Sequence, residues 1–386
     1  MRWRFLQFGV RQYLLLIAVL SLLLAIMAPR LQDAYRSRQL GLEYRRLQDA
    51  TRNLATAVRS SDAELARRAL EAGASANVHH GDGSLLRHCI DNGQIPLVEL
   101  LLDFGADIER VERLQSSLVV DGPPLYAAVG CSQPTEVRQE MARLLIQHGA
   151  DVRMRIGRLD LMDLAVYRSD PEMADFLKGH GLPYGAREMA AFNQLEQLQR
   201  LVAENPGVLR ERSKPIFTNR PERGPTLLGM ALWKGHREVA MFLIDQGAPL
   251  DTVEGQGQTL LHQAVRGGDP ELILLLVTHG LDVNAKDDYE DTPLTDRVWD
   301  APPEAISALI KAGADMNSCR FDGRTALHLA VANGRIDVIP MLLAAGADPS
   351  IPDRDGMTAL DEARAKDPKI ANMLTSGMST ITRSLD

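Results

Sequence analysis

Apolar residues fall along this chain in two rhythms, one periodic and one continuous. In the C-terminal half, Leu261, Ala264 and Val265, and again Leu327, Ala330 and Val331, recur at i, i+3 and i+4, the spacing that lines one face of a helix. A denser apolar run follows each stripe, Glu271 to Val277 in one case and Val338 to Leu343 in the other. Each run closes at a glycine suited to the left-handed position just past a helix end. The pattern predicts pairs of short helices. Near the N-terminus the rhythm changes: the 18 residues from Gln12 to Pro29 carry no charge and are almost all Leu, Ile, Val, Ala or Met.

The helical pairs repeat at one interval. Thr226, Thr259, Thr292, Thr325 and Thr358 stand 33 residues apart, and so do Gly247, Gly280, Gly313 and Gly346. The phrases they open read Thr226-Leu-Leu-Gly-Met-Ala231, Thr259-Leu-Leu-His-Gln-Ala264, Thr292-Pro-Leu-Thr295, Thr325-Ala-Leu-His-Leu-Ala330 and Thr358-Ala-Leu-Asp-Glu-Ala363. Thr at the head of a phrase is a helix cap whose hydroxyl takes an orphan backbone N–H, and Pro293 in the next position has no N–H to lose. The period and the phrase are those of ankyrin repeats, and the chain resembles an ankyrin repeat protein. That resemblance implies an all-α solenoid of helix-turn-helix repeats joined by hairpin loops, stabilised by stacking of neighbours and capped by atypical end copies.

Upstream the register loosens. The helix-ending glycines are Gly73, Gly105, Gly149 and Gly181, and copies open at Ser84, at Pro123 and at Asp160. The extra residues of the long step are expected in the connections, 110–122 and 130–136, and Ala190 to Val208 reads as a copy without its opening Thr. Arg210, Arg212, Lys214, Arg220 and Arg223 make 209–225 a basic loop that is expected to divide the array into two stacks. Roughly ten repeats fit between Leu54 and Leu374. The organisation expected is an anchor or signal sequence over 1–29, a juxtamembrane helix over 30–53, irregular repeats over 54–208, the basic loop over 209–225, regular repeats over 226–375 and a tail over 376–386.

At about 1.5 Å per helical residue, an 18-residue apolar run spans roughly 27 Å, close to the thickness of a hydrocarbon core. Arg2, Arg4 and Arg11 precede it, and Trp3 and Tyr13 suit the interface. A single transmembrane helix ahead of the repeats is the reading. A cleaved leader is the alternative, with Ala25-Ile-Met-Ala28 as its exit. Five arginines follow the run within reach (Arg30, Arg36, Arg38, Arg45, Arg46), which leans towards cytoplasmic repeats over extracytoplasmic ones.

Charge separates the two parts. Residues 1–46 hold eight Arg against Asp33 and Glu43, a balance of +6, so the remaining chain is −14 if the whole is −8. Such an acidic array disfavours nucleic acid, which binds through phosphate neutralisation. Cys89, Cys131 and Cys319 are few, odd in number and scattered, and leave the redox compartment open. His262 and His328 occupy the fourth position of the phrase, where the resemblance implies hydrogen bonds between repeats. His148, His180 and His279 precede helix-ending glycines, and His236 lies in a turn. His79-His80 lacks further ligands at metal spacing. His88-Cys89 are helix neighbours pointing about 100° apart, unlike a nucleophile pair. Gly255-Gln-Gly257 lacks the strand and third glycine of a phosphate loop. No catalytic residue, metal, cofactor or small-molecule substrate is implied, and an enzyme with an unrecognised site is the minor alternative to a non-catalytic interaction module.

The resemblance also implies that a protein partner binds the concave face, formed by the hairpin tips and the ends of the first helices. Seven residues after each opening position stand Tyr167, Trp233, Arg266, Trp299 and Ala332; the tips include Arg223, Asp288, Tyr289, Phe321 and Arg354. Trp, Tyr and Arg dominate interface energetics. The candidate binding residues are therefore Tyr167, Trp233, Arg266, Tyr289, Trp299 and Phe321, with core packing the competing role for both tryptophans. Two irregularities fall in one repeat. Tyr289-Glu290 replaces the Asp-Gly found at Asp322-Gly323 and Asp355-Gly356, so this tip is expected to bend without a positive φ. Trp299-Asp-Ala-Pro-Pro303 replaces the usual turn between helices.

Overall fold

Each repeated phrase folds into a capped pair of helices. The computed structural model describes residues 35–80, 83–111, 122–156, 159–213 and 223–383. Chain order within them is α1 (35–60) with α2 (Ala63–Glu71), α3 (Leu85–Asp91) with α4 (Ile95–Asp103), α5 (Pro124–Gly130) with α6 (Thr135–Gln147), and α7 (Leu161–Tyr167) with α8 (Pro171–Gly179). Next come α9 (Ala186–Ala191) with α10 (Leu195–Glu204), α11 (Leu227–Trp233) with α12 (Arg237–Asp245), and α13 (Leu260–Gly267) with α14 (Pro270–Thr278). The last are α15 (Pro293–Arg297) with α16 (Pro303–Lys311), α17 (Ala326–Ala332) with α18 (Ile339–Ala344), and α19 (Ala359–Lys366) with α20 (Pro368–Arg383). Two antiparallel hairpins of two-residue strands add β1 (His79–His80) with β2 (Gly83–Ser84), and β3 (Val253–Glu254) with β4 (Gln258–Thr259).

The caps follow the chemistry of the phrase. The Ser84 and Thr226 hydroxyls accept the N–H groups three residues on, at 3.1 and 3.0 Å. His262 and His328 each accept a threonine backbone N–H at Nδ1, from Thr259 and Thr325 at 3.2 Å. Their Nδ1 is therefore unprotonated, and Nε2–H donates to the next repeat, to the Asp291 and Met357 carbonyls at 3.1 Å. The periodic glycines take positive φ, as at Gly247 (+80°), whose N–H reaches the Ile244 carbonyl while Ala248 reaches Leu243. That is the double closure of a Schellman end.

The chain divides into two compact units, Met1–Val152 and Arg153–Asp386. In the first, Leu54, Val58, Ile90, Leu97, Leu101, Tyr126, Met141 and Leu145 are buried. In the second, one apolar core runs from Ala186 to Leu374 and includes Val208, Leu209, Leu227 and Leu228. The array therefore does not divide at 209–225. Packing on both sides of that segment is shared, and residues 206–210 form a short 3-10 helix that delivers Val208 and Leu209 inward.

Several expectations of detail give way to the packing. The helix expected over 30–53 runs on to residue 60 and buries Ala50, Leu54, Ala57 and Val58, so it is also the first helix of the first pair. The connection at 130–136 shrinks to 131–134, and the extra length appears in α6, which has 13 residues where α4 has 9. The copy without Thr opens at Gly185, whose N–H donates to the Glu188 carboxylate at 2.8 Å. No helix among the described residues is long and apolar enough to cross a membrane, and the span expected over 1–29 lies outside them. The same holds for most of the basic loop.

Candidate interaction surface

The position-seven row sits at the C-terminal ends of the first helices, where the polypeptide turns and side chains leave the core. Trp233 ends α11 with one face against Val166, Ala191 and Met230, a small buried cluster of its own. Three polar or aromatic neighbours line its ring as well. The Tyr167 ring lies 6.3 Å away between centroids, the Lys234 ammonium 4.5 Å from the indole centre and the Arg266 guanidinium carbon 4.7 Å. Cations over an indole face are attracted by its quadrupole. Tyr167 keeps 53% of its surface exposed, so the cluster is open on that side. Trp233 is thus half-buried, packed on the core by one face.

Lys234 is fixed by the end of α7. Its ammonium donates to the Val166 and Tyr167 carbonyls at 2.5 and 3.2 Å and to the Ser169 hydroxyl at 2.9 Å. The two carbonyls belong to the C-terminal end of a helix two repeats earlier, where the Val166 oxygen also accepts the Ser169 N–H at 3.1 Å. Burial, reinforced by the charge of Arg266, pushes its amine down to about 8. Burial, then the charge of Arg297, also holds the Arg266 guanidinium below its usual value. The row expected from the sequence omitted Lys234, although the Trp233-Lys234 pair ahead of the turn glycine Gly235 was visible in it.

Trp299 is 43% exposed, and its indole N–H donates to the Asp296 carbonyl at 2.8 Å. Arg297 packs 5.4 Å from its ring centre. The irregular turn that carries it is held from the next repeat, where Arg335 donates to the Val298 and Ala301 carbonyls at 3.0 and 2.8 Å. Tyr289 and Phe321 form a second aromatic contact at the hairpin tips, 6.4 Å between ring centroids, with the Phe321 N–H donating to the Tyr289 carbonyl at 3.3 Å. Both are nearly half exposed. The Arg320 guanidinium lies 5.3 Å from the Phe321 ring, and Arg223 pairs with Asp288. The six candidates thus form two patches, Tyr167–Trp233–Arg266 and Tyr289–Phe321, with Trp299 on its own irregular turn.

The tip that carries Tyr289 bends as the Asp-Gly tips do. Glu290 takes a φ of +61°, against +81° at Gly323 and +78° at Gly356. The expectation of another bend fails because Asp287 dictates the turn: its carboxylate accepts the Tyr289 and Asp291 N–H groups at 2.8 and 3.0 Å.

Among the described residues no group of three or more His, Cys, Asp or Glu side chains is placed to hold a metal ion. Cys89 is buried, which pushes its thiol up to about 12, while its neighbour His88 faces solvent.

Residues 186–287 and 298–383 match the family model of ankyrin repeats (3 copies). No curated protein matches the chain. These residues carry ankyrin repeats, which imply a protein–protein interaction module and belong to a family that is typically non-catalytic.

Proposed function

We propose that this chain is a non-catalytic, membrane-tethered ankyrin module that holds a protein partner on the row from Tyr167 to Phe321. The observation that carries the reading is the contrast between the two sides of the first helices. Their apolar stripes are buried, whereas Tyr167 and Trp299 near their ends and Tyr289 and Phe321 at the hairpin tips are about half exposed. Rigid rings of this kind are common anchors of interfaces. They are mounted here on turns fixed by Lys234, Arg335 and Asp287, so a partner meets a preformed surface.

The tether rests on the uncharged run from Gln12 to Pro29 with arginines on both sides. Repeats on the cytoplasmic side follow from the larger arginine count after that run. The alternative, an exported chain that binds an extracytoplasmic partner, rests on the exit at Ala25-Ile-Met-Ala28. N-terminal sequencing of the purified protein decides between them: a start near Pro29 retires the tether.

A photo-crosslinking residue in place of Tyr167, and separately in place of Tyr289, tests the surface in native membranes. Both positions should capture the same protein, while a probe at exposed Met241 on α12 should not. Capture from Met241 with none from the row overturns the reading.

A further inference from the structure

The second unit holds a cation that its own acids leave unclaimed. Arg266 stacks on Trp233, and among the described residues no carboxylate or carbonyl receives its guanidinium. The two carboxylates whose charge reaches it, beside the Tyr167 phenol, are committed elsewhere: Asp296 and Asp300 lie 3.4 and 3.1 Å from Arg297. Lys234 adds a second positive charge beside the same indole, with its bonds spent on Val166, Tyr167 and Ser169. Lys234 therefore contributes field, and Arg266 contributes field and free donors. The exposed Tyr167 ring lies beside the same indole, 6.3 Å between centroids.

We propose that the partner presents an acidic polypeptide segment to Tyr167, Trp233, Lys234 and Arg266, with one of its carboxylates paired to the Arg266 guanidinium. The proposal deepens the interaction reading given above and rests on it. Three properties of the patch favour this occupant. A guanidinium fork matches a carboxylate in two parallel bonds. Burial and the charge of Arg266 hold Lys234 below its usual value, and burial and the charge of Arg297 do the same to Arg266, so an anion beside them offsets the crowding of positive charge. The rings give an adjacent apolar side chain a flat surface to cover. Nucleic acid fits poorly, because a long polyanion has to lie along an array whose charge beyond residue 46 is −14. An acidic peptide offers its charge over a few residues and is held at short range, where this local patch outweighs the distant field.

The test uses the full chain in detergent micelles with Trp3→Phe and Trp299→Phe, so that Trp233 alone reports. Poly-L-glutamate is the probe; poly-L-lysine, orthophosphate and oligo-dT are the comparisons. The expected result is a saturable change in Trp233 fluorescence with poly-L-glutamate and none with the other three. Arg266→Gln should weaken binding by at least about tenfold, the loss of one charge-assisted contact. Arg266→Lys, which keeps the charge and loses the fork, should fall between the two. Helical circular dichroism and the melting temperature of each variant confirm that the fold is intact. An unsaturable response, an Arg266→Gln affinity equal to the parent, or an equal response to orthophosphate or oligo-dT overturns the proposal. If Tyr167 crosslinks a partner whose capture resists both Arg266→Gln and poly-L-glutamate, the acidic chemistry fails and the interaction surface stands. If nothing crosslinks at Tyr167, the interaction reading itself fails.

Discussion

Glu254 shows how one residue's loss is filled by another's reach. Where other phrases place His262, Thr295, His328 or Asp361 to receive the N–H of the opening residue, the phrase at Thr226 has Gly229. The space is taken by Glu254 from the following hairpin, whose carboxylate accepts the Thr226 N–H at 2.8 Å and its hydroxyl at 2.6 Å. A Cβ at Gly229 would lie 2.1 Å from Glu254 Oε1. Gly229→Ala should therefore destabilise the chain by about 1–3 kcal/mol through overpacking, in spite of alanine's better helix propensity. Gly229→His with Glu254→Ala should be less harmful than the two single changes added together, by about 0.5–3 kcal/mol in a double-mutant cycle of urea melts. Additivity refutes the exchange. The absent histidine was legible in the sequence; its substitute, 25 residues later on another repeat, was not. Asp291 gives the pH response. Burial pushes its carboxyl up from 3.8 to about 6, against the pull of Arg320. A raised folded value means that the folded chain holds this proton more tightly than the unfolded one. The contribution to stability is then fullest below about pH 4 and is lost as pH rises through 6, at most about 3 kcal/mol. Asp291→Asn should flatten that part of a plot of melting temperature against pH, and an unchanged slope between pH 4 and 6 counts against it. Thiol reactivity follows burial. Cys89 and Cys131 are buried and Cys319 is partly exposed, so native protein should take up one equivalent of a thiol reagent quickly, at Cys319 by mass mapping, and three only in denaturant.

At the scale of the element, periodicity made the helix pairs legible because both faces of the argument, cap and stripe, repeat at one spacing. The bonds between neighbouring repeats were less visible, since each joins residues about 30 apart whose pairing needs the stack. Asn284 and Asn317 show this: each side chain donates to a helix-ending glycine carbonyl of the next repeat, Gly313 at 3.4 Å and Gly346 at 3.2 Å, and accepts the N–H of Asp315 or Asp348 at 2.8 Å. Asn77 does the same in the first unit with Gly105 and Asp107. The Asp-x-Asn shared by two successive repeats, Asp282-Val-Asn284 and Asp315-Met-Asn317, was the available signal. Glu290 was misread for a related reason. Its side chain argues against a positive φ, but the turn is imposed by Asp287, which the local propensity of Glu290 does not reveal. A non-glycine residue held in the left-handed region is disfavoured by roughly 1–2 kcal/mol. Glu290→Gly should recover about 1 kcal/mol of that, read as a rise in urea midpoint with the slope unchanged. A fall in midpoint would show that Glu290 makes a contact worth more than the strain.

Across the whole molecule, the division into stacks was the least legible feature, because composition marks a loop but not what packs beneath it. The basic residues between 209 and 225 pointed to a break, yet one apolar core takes in residues before and after that segment. Val208 and Leu209 share it with Leu227 and Leu228, and α9 packs on α11. Polar links cross as well: Lys234 reaches back to Val166 and Tyr167, and the His236 ring meets the Ala191 carbonyl at 2.8 Å. In a repeat array stability is carried by such neighbour interfaces, so covalent continuity between them matters less than the buried contacts themselves. A specific protease site placed within 214–222 therefore gives a sharp test on the chain cut once, after it has folded. The two pieces should stay together through size exclusion in native buffer. They should part only in denaturant, at a concentration somewhat below the midpoint of the uncut chain, because dissociation gains the freedom that the linking segment withheld. Separation in native buffer would mean that the core from Ala186 to Leu374 is two cores. The Tyr167–Trp233–Arg266 surface, which draws on both sides of the cut, would then depend on the segment that joins them.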